Sequence, residues 1–111
     1  MEQIYNVAWS GGRQMDKAGK LPPVGNTVDA KSASYNNSIG DAQLQVVWTD
    51  PDFQAAQAAI YYVRVLEIPT PRWSTYDAAT LGIPPRKDIP ASIQERAWTS
   101  PIWYTPWPAG A

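Results

Sequence analysis

Ala58-Ala59-Ile60-Tyr61-Tyr62-Val63-Arg64-Val65-Leu66-Glu67-Ile68 is the longest run of β-branched and aromatic residues between turn signals, and its reading decides the fold class. Tyr61, Val63 and Val65 fall on one face of an extended chain, Ile60, Tyr62, Arg64 and Leu66 on the other. Both faces are largely apolar, so the run is expected as a central β-strand covered on both sides, not as an edge. Arg64 then needs a carboxylate on an adjacent strand or a place where the strand reaches solvent. Glu67, three residues on, points to the opposite face.

Upstream of that run, residues 3–9 set Tyr5, Val7 and Trp9 against Ile4, Asn6 and Ala8, the period of a half-buried first strand. Residues 15–24 form a polar loop closed by Leu21-Pro22-Pro23, where proline removes backbone donors. Residues 27–35 read as a weaker strand suited to an edge. Asn36-Asn37-Ser38 and Gly40-Asp41 are turn chemistry. Leu44, Val46 and Trp48 alternate with polar or outward residues, which predicts a third strand with Trp48 in the core. Asp50-Pro51-Asp52-Phe53 turns the chain, and residues 54–57 allow a single helical turn. Tyr61-Tyr62-Val63 has the spacing of a tyrosine corner, in which a hydroxyl ties back to the preceding corner.

Downstream, Ser74 is placed to cap a short helix with Asp77 three residues on, and Gly82 to close it in a left-handed conformation. Ile83-Pro84-Pro85 and Asp88-Ile89-Pro90 prolong the excursion. Residues 96–104 supply a last strand that pairs most naturally with the central one, with Pro101 marking a bulge or an unpaired edge. The order predicts a mainly β fold: an antiparallel, immunoglobulin-like β-sandwich module with long loops and one short helix. It forms a single domain over residues 1–104, with a tail at 105–111.

Composition narrows the chemistry. Nine lysines and arginines face ten aspartates and glutamates without a basic cluster, so the electrostatic footprint of a nucleic-acid binder is missing. No apolar stretch approaches the roughly 20 residues of a membrane span, and Met1-Glu2-Gln3-Ile4 lacks the order of a secretion signal. There is no cysteine and no histidine, which excludes disulfides, thiolate nucleophiles, zinc sites of the usual ligands and histidine-based triads. A cysteine-free domain suits cytosol and periplasm equally. With 111 residues one core is within reach, and eleven prolines and six tryptophans suit a loop-rich module with a core of large rings.

Few residues carry candidate chemistry. Asp50 and Asp52 lack the further oxygen ligands of a calcium loop and read as turn residues. Gly11-Gly12-Arg13 lacks the lysine and helix of a phosphate loop. Asn36 opens an Asn-x-Ser triplet of a kind common by chance. Arg72-Trp73 is more informative, because it follows a strand end and is stiffened by nearby prolines. Arg72, Trp73, Tyr76, Trp103 and Trp107 form the candidate interaction surface, able to stack on a sugar ring or dock on another domain. No catalytic, metal or cofactor-binding residue is assigned.

Residues 50–53, the run Tyr61-Tyr62-Val63-Arg64-Val65-Leu66-Glu67-Ile68-Pro69-Thr70-Pro71-Arg72-Trp73-Ser74-Thr75-Tyr76-Asp77 and Gln94-Glu95-Arg96-Ala97-Trp98-Thr99-Ser100-Pro101-Ile102-Trp103-Tyr104 resemble the carboxy-terminal end of a family of large bacterial proteins, the domain-of-unknown-function family 3604. The match extends back through Tyr5-Asn6-Val7-Ala8-Trp9-Ser10 and residues 20–29. Members of that family have an amino-terminal part similar to the polymerase-and-histidinol-phosphatase superfamily of metal-dependent phosphoesterases, whose metal ligands are histidines and acids. The resemblance implies that this chain is a non-catalytic accessory module of such a hydrolase, with no cofactor of its own and the rest of the parent polypeptide as partner. It leaves a periplasmic or secreted parent open. Arg72 and Trp73 are then nearest the parent's cleft. It also implies a strand before residues 3–9, so that an unpaired edge there predicts a homodimer or strand exchange. The alternatives are a carbohydrate- or ligand-binding module using exposed tryptophans, and an enzyme in its own right.

Overall fold

The run at 58–68 folds in the computed structural model, which describes residues 1–108, as two short strands: β1 (Ala59–Tyr61) and β2 (Arg64–Leu66). They are followed by β3 (Thr70–Pro71), α1 (Trp73–Leu81), β4 (Ser92–Ile93), β5 (Arg96–Trp98) and β6 (Ile102–Tyr104). Regular structure is thus mainly β with one helix, in three two-stranded antiparallel sheets among the described residues: β1 with β6, β2 with β5, β3 with β4. The last strand pairs with the central run, as expected. The chain divides into two compact units, residues 1–46 with 67–95, and residues 47–66 with the described residues from Arg96 onward.

In the second unit the strands form a ribbon whose register slips by one residue. Tyr61 stands opposite Ile102 but Arg64 opposite Trp98, so Tyr62 and Val63 face three residues, Thr99, Ser100 and Pro101. That is the bulge Pro101 predicts, since proline brings no N–H to a ladder. Thr99 repairs it from both sides. Its N–H donates to the Val63 carbonyl at 2.9 Å, and its hydroxyl oxygen accepts the Val63 N–H at 2.9 Å.

The turn before β1 is anchored to the ribbon. Asp50 Oδ1 accepts the Asp52 N–H at 2.8 Å, and the Phe53 N–H reaches the Asp50 carbonyl at 3.3 Å. The Tyr61 hydroxyl donates to Asp50 Oδ2 at 2.7 Å, the tie to the preceding corner that its spacing suggested. Tyr104 donates to the Ala55 carbonyl at 2.8 Å and meets Phe53 edge to face with ring centroids 5.0 Å apart. Both aspartates at 50 and 52 serve the turn. Residues 54–57 make one turn, closed by Gln57 N–H to the Gln54 carbonyl at 3.0 Å.

The first unit holds its loops with side-chain caps. Asp16, Asn26, Asp29, Asn36 and Asp41 each accept a backbone N–H two residues on, as short polar side chains in turns do. Gly40 has φ +78°, and a Cβ built there would lie 2.5 Å from Ile68 Cγ2, so this turn passes where only glycine fits. Gly82 caps α1 with φ +68°, as its position predicts.

Several expectations need correction. The run at 58–68 is not covered on both faces: Ile60, Val63 and Val65 are about half exposed, and in two-stranded sheets each strand keeps an open edge. Residues 3–9 and 44–48 form no strand, and 27–35 contributes only a bridge between Asp29 and Ser34. Their alternation is real, but a strand exists only through a ladder, and the strand ladders among the described residues do not include them. Trp48 is exposed, not core. Ser74 does not cap α1: Arg72 takes the cap position with extended backbone (φ −69°, ψ 155°), and Ser74 is buried inside the helix. Arg64 is exposed, the solvent alternative of its two readings. Residues 109–111 of the expected tail lie outside the described residues.

Candidate interaction surface

Helix α1 is built inside out. Ser74, Thr75 and Ala78 are buried, and with Pro71 they follow the i, i+3, i+4, i+7 spacing of one helical face. Small side chains on the inner face let the helix lie close against its own loop. The outer face carries the rings instead: Trp73 is 68% exposed and Tyr76 43%, one turn apart.

Arg72 makes this orientation obligatory. Its N–H donates to the Ala91 carbonyl at 2.9 Å and its Nε to the Pro90 carbonyl at 3.0 Å. The Thr75 hydroxyl donates to the same Ala91 carbonyl at 2.8 Å, while Thr75 and Tyr76 N–H groups start the helix on the Arg72 carbonyl. Strands β3 and β4 bring residues 90–92 alongside, and Asn26 Nδ2 ties Ser92 Oγ at 3.0 Å. Arg72 is therefore a clamp between helix start and returning loop, and its half-buried guanidinium works on the chain itself. Trp73 follows immediately and is held outward.

The remaining candidates belong to the second unit. Trp103 lies in β6, 72% exposed, and Trp107 follows it, 81% exposed. Register places Trp103 opposite Ile60, which is 51% exposed, so the pair forms an apolar strip on one face of the ribbon. Trp98 in β5 is 58% exposed and joins the list of outward tryptophans that the sequence reading left out. Its place in the strand that pairs with the central run was the available signal. The structure thus brings Arg72, Trp73 and Tyr76 together on one unit and leaves Trp103 and Trp107 on the other.

Charge adds little specificity. Arg86 and Asp88 form the ion pair of the proline loop, both well exposed, and Arg86 holds the Asp88 carboxyl below the usual carboxylate range. The hydroxyl bond from Tyr61 to Asp50 pushes the Tyr61 pKa above the ordinary tyrosine value.

No curated protein and no solved structure matches the chain. The model of a family described as proteins of unknown function, DUF3604, matches residues 1–106, and the chain belongs to that family.

Proposed function

We propose that the chain is a non-catalytic, carboxy-terminal β module of a longer metal-dependent hydrolase, and that its exposed rings and strands pack on the remainder of that polypeptide. One observation carries this reading. The buried described residues are Ser10, Pro71, Ser74, Thr75 and Ala78, and no large side chain is among them. The chain exposes 9127 Å2, where a compact monomer of its mass exposes about 6,100 Å2. Two compact bodies of the size of its units, taken separately, would expose about 7,300 Å2. The surplus therefore holds for any arrangement of the units. It exceeds the roughly 800 Å2 per partner of an ordinary stable interface. In the parent, the ribbon of β1, β2, β5 and β6 belongs to an immunoglobulin-like sandwich completed from outside this chain.

The test compares the longer polypeptide with and without residues 1–106 for metal content, esterase activity and thermal unfolding. The expected result is a lowered melting temperature and a loss of activity at unchanged metal content. Unchanged activity with lowered stability reduces the module to a brace, and no change in either ends the reading.

The exposure of Trp73, Trp103 and Trp107 also supports a second reading, a carbohydrate- or ligand-binding module that stacks rings on tryptophan. Titrating the isolated chain with oligosaccharides while following tryptophan fluorescence separates the two. A saturable shift favours binding; a flat response favours packing.

A further inference from the structure

Outside the candidate surface, charge and an exposed ring meet on one face of the ribbon. The register of β2 with β5 sets Arg64 opposite Trp98 and Leu66 opposite Arg96, while Val65 and Ala97 point the other way. Arg64, Leu66, Arg96 and Trp98 therefore share a face, and all four belong to the second unit. The two arginines lie on its diagonal, roughly 7 Å apart at Cβ. Trp98 is 58% exposed, Leu66 47%, and both arginines are exposed. Among the described residues neither guanidinium has an ion-pair or hydrogen-bonding partner. The nearest carboxylates in sequence, Glu67 and Glu95, have the opposite parity. The face thus concentrates positive charge in a chain of net charge −1.

A partner for it needs anions beside an apolar plane, and an acidic sugar carries both. The C–H face of a sugar ring stacks on an indole, and a carboxylate or sulfate on the ring receives the planar fork of a guanidinium. An acidic peptide gains its main-chain bonds at the edge of a sheet, not on a face. A nucleic acid calls for a basic excess over the whole domain, which the composition denies. We infer that the face carrying Arg64, Arg96 and Trp98 binds an acidic oligosaccharide, with the indole under a sugar ring and the guanidinia on its carboxylate or sulfate groups. The inference rests on the saccharide reading given above as the second function, and names the class of sugar and the place.

The test follows the indole N–H resonance of Trp98, assigned by its loss in Trp98→Phe. The isolated chain is titrated with a galacturonate oligomer, a sulfated glucan oligomer and a neutral glucan oligomer. An acidic oligomer shifts the resonance saturably and binds roughly tenfold or more tighter than the neutral one. Comparing the two acidic oligomers separates carboxylate from sulfate. Added salt weakens the binding, because the charges are exposed. Arg64→Gln and Arg96→Gln each weaken it by roughly threefold or more, and Trp98→Ala by roughly tenfold. The arginine variants keep the urea midpoint of the unsubstituted chain, so binding lost in them is not fold lost.

Equal affinity for neutral and acidic oligomers, acidic binding that survives both arginine substitutions, or binding reported only by other indoles overturns the inference and leaves the saccharide reading standing. No shift of any indole with any oligomer overturns both. Tighter binding of polyglutamate or of an oligothymidylate makes the partner a peptide or a nucleic acid. A Trp98 shift that grows with protein concentration alone makes it a second copy. Each of these last two results overturns the inference.

Discussion

The corner made by β3, β4 and the start of α1 buries Ser74, Thr75 and Ala78, whereas the ribbon of β1, β2, β5 and β6 leaves Ile60, Val65, Trp98 and Trp103 at 50 to 72% exposure. The corner is polar and small, the ribbon apolar and large. Composition would place them the other way round, because large apolar residues are the ones expected inside. The difference teaches where each region finds its partners. Arg72 and Thr75 close the corner onto carbonyls of residues 90 and 91, within their own unit. The ribbon satisfies its backbone through β-ladders and Thr99, but nothing among the described residues covers both of its faces. Satisfied hydrogen bonds hold a shape; they do not remove apolar surface from water.

The contrast breaks most readily in the first unit. Gly40→Ala forces a Cβ toward Ile68 and a side chain into a left-handed conformation, and is expected to cost about 2–4 kcal/mol in urea unfolding. A loss below about 0.5 kcal/mol would mean that the turn is free to move aside. Ala78→Leu overfills the inner face of α1 and should cost about 1–3 kcal/mol, read as faster exchange of the Arg72 amide that bonds Ala91. Thr75→Val should cost only about 1 kcal/mol, because the Ala91 carbonyl keeps its bond from Arg72.

In the ribbon the expected effects are smaller. The Tyr61 pKa is raised in the folded state, so its contribution is fully present below the unfolded tyrosine value of about 10 and is lost as pH rises through the higher folded value. Tyr61→Phe should remove that alkaline limb from the stability profile, and a limb that survives the substitution belongs to another group. Trp103→Ser should leave the stability of the isolated chain within about 0.5 kcal/mol while raising its solubility. In the longer polypeptide the same substitution should be strongly destabilising, and equal effects in both would erase the distinction between corner and ribbon.

Local chemistry was legible residue by residue. Gly82 as a left-handed cap, the turns at Asn36 and Asp50, the bulge at Pro101, the tie from Tyr61 and the pairing of the last strand with the central run all follow from side chains and their near neighbours. Of the residues named for a candidate surface, exposure was legible and bonding was not. Trp73, Tyr76, Trp103 and Trp107 do face outward. Arg72 turned out to be a clamp, because the carbonyls it serves arrive from a loop eighteen residues away.

By itself, then, the sequence determined a mainly β chain without thiol or imidazole chemistry, its turns, its breaks and the period of each strand-like segment. Tertiary structure alone decided which of those segments acquired a partner. Period two says that a stretch can form a ladder, but a ladder is a contract between two stretches. Residues 59–66 found theirs in 96–104, while 7–9 and 44–46 face each other across an empty gap.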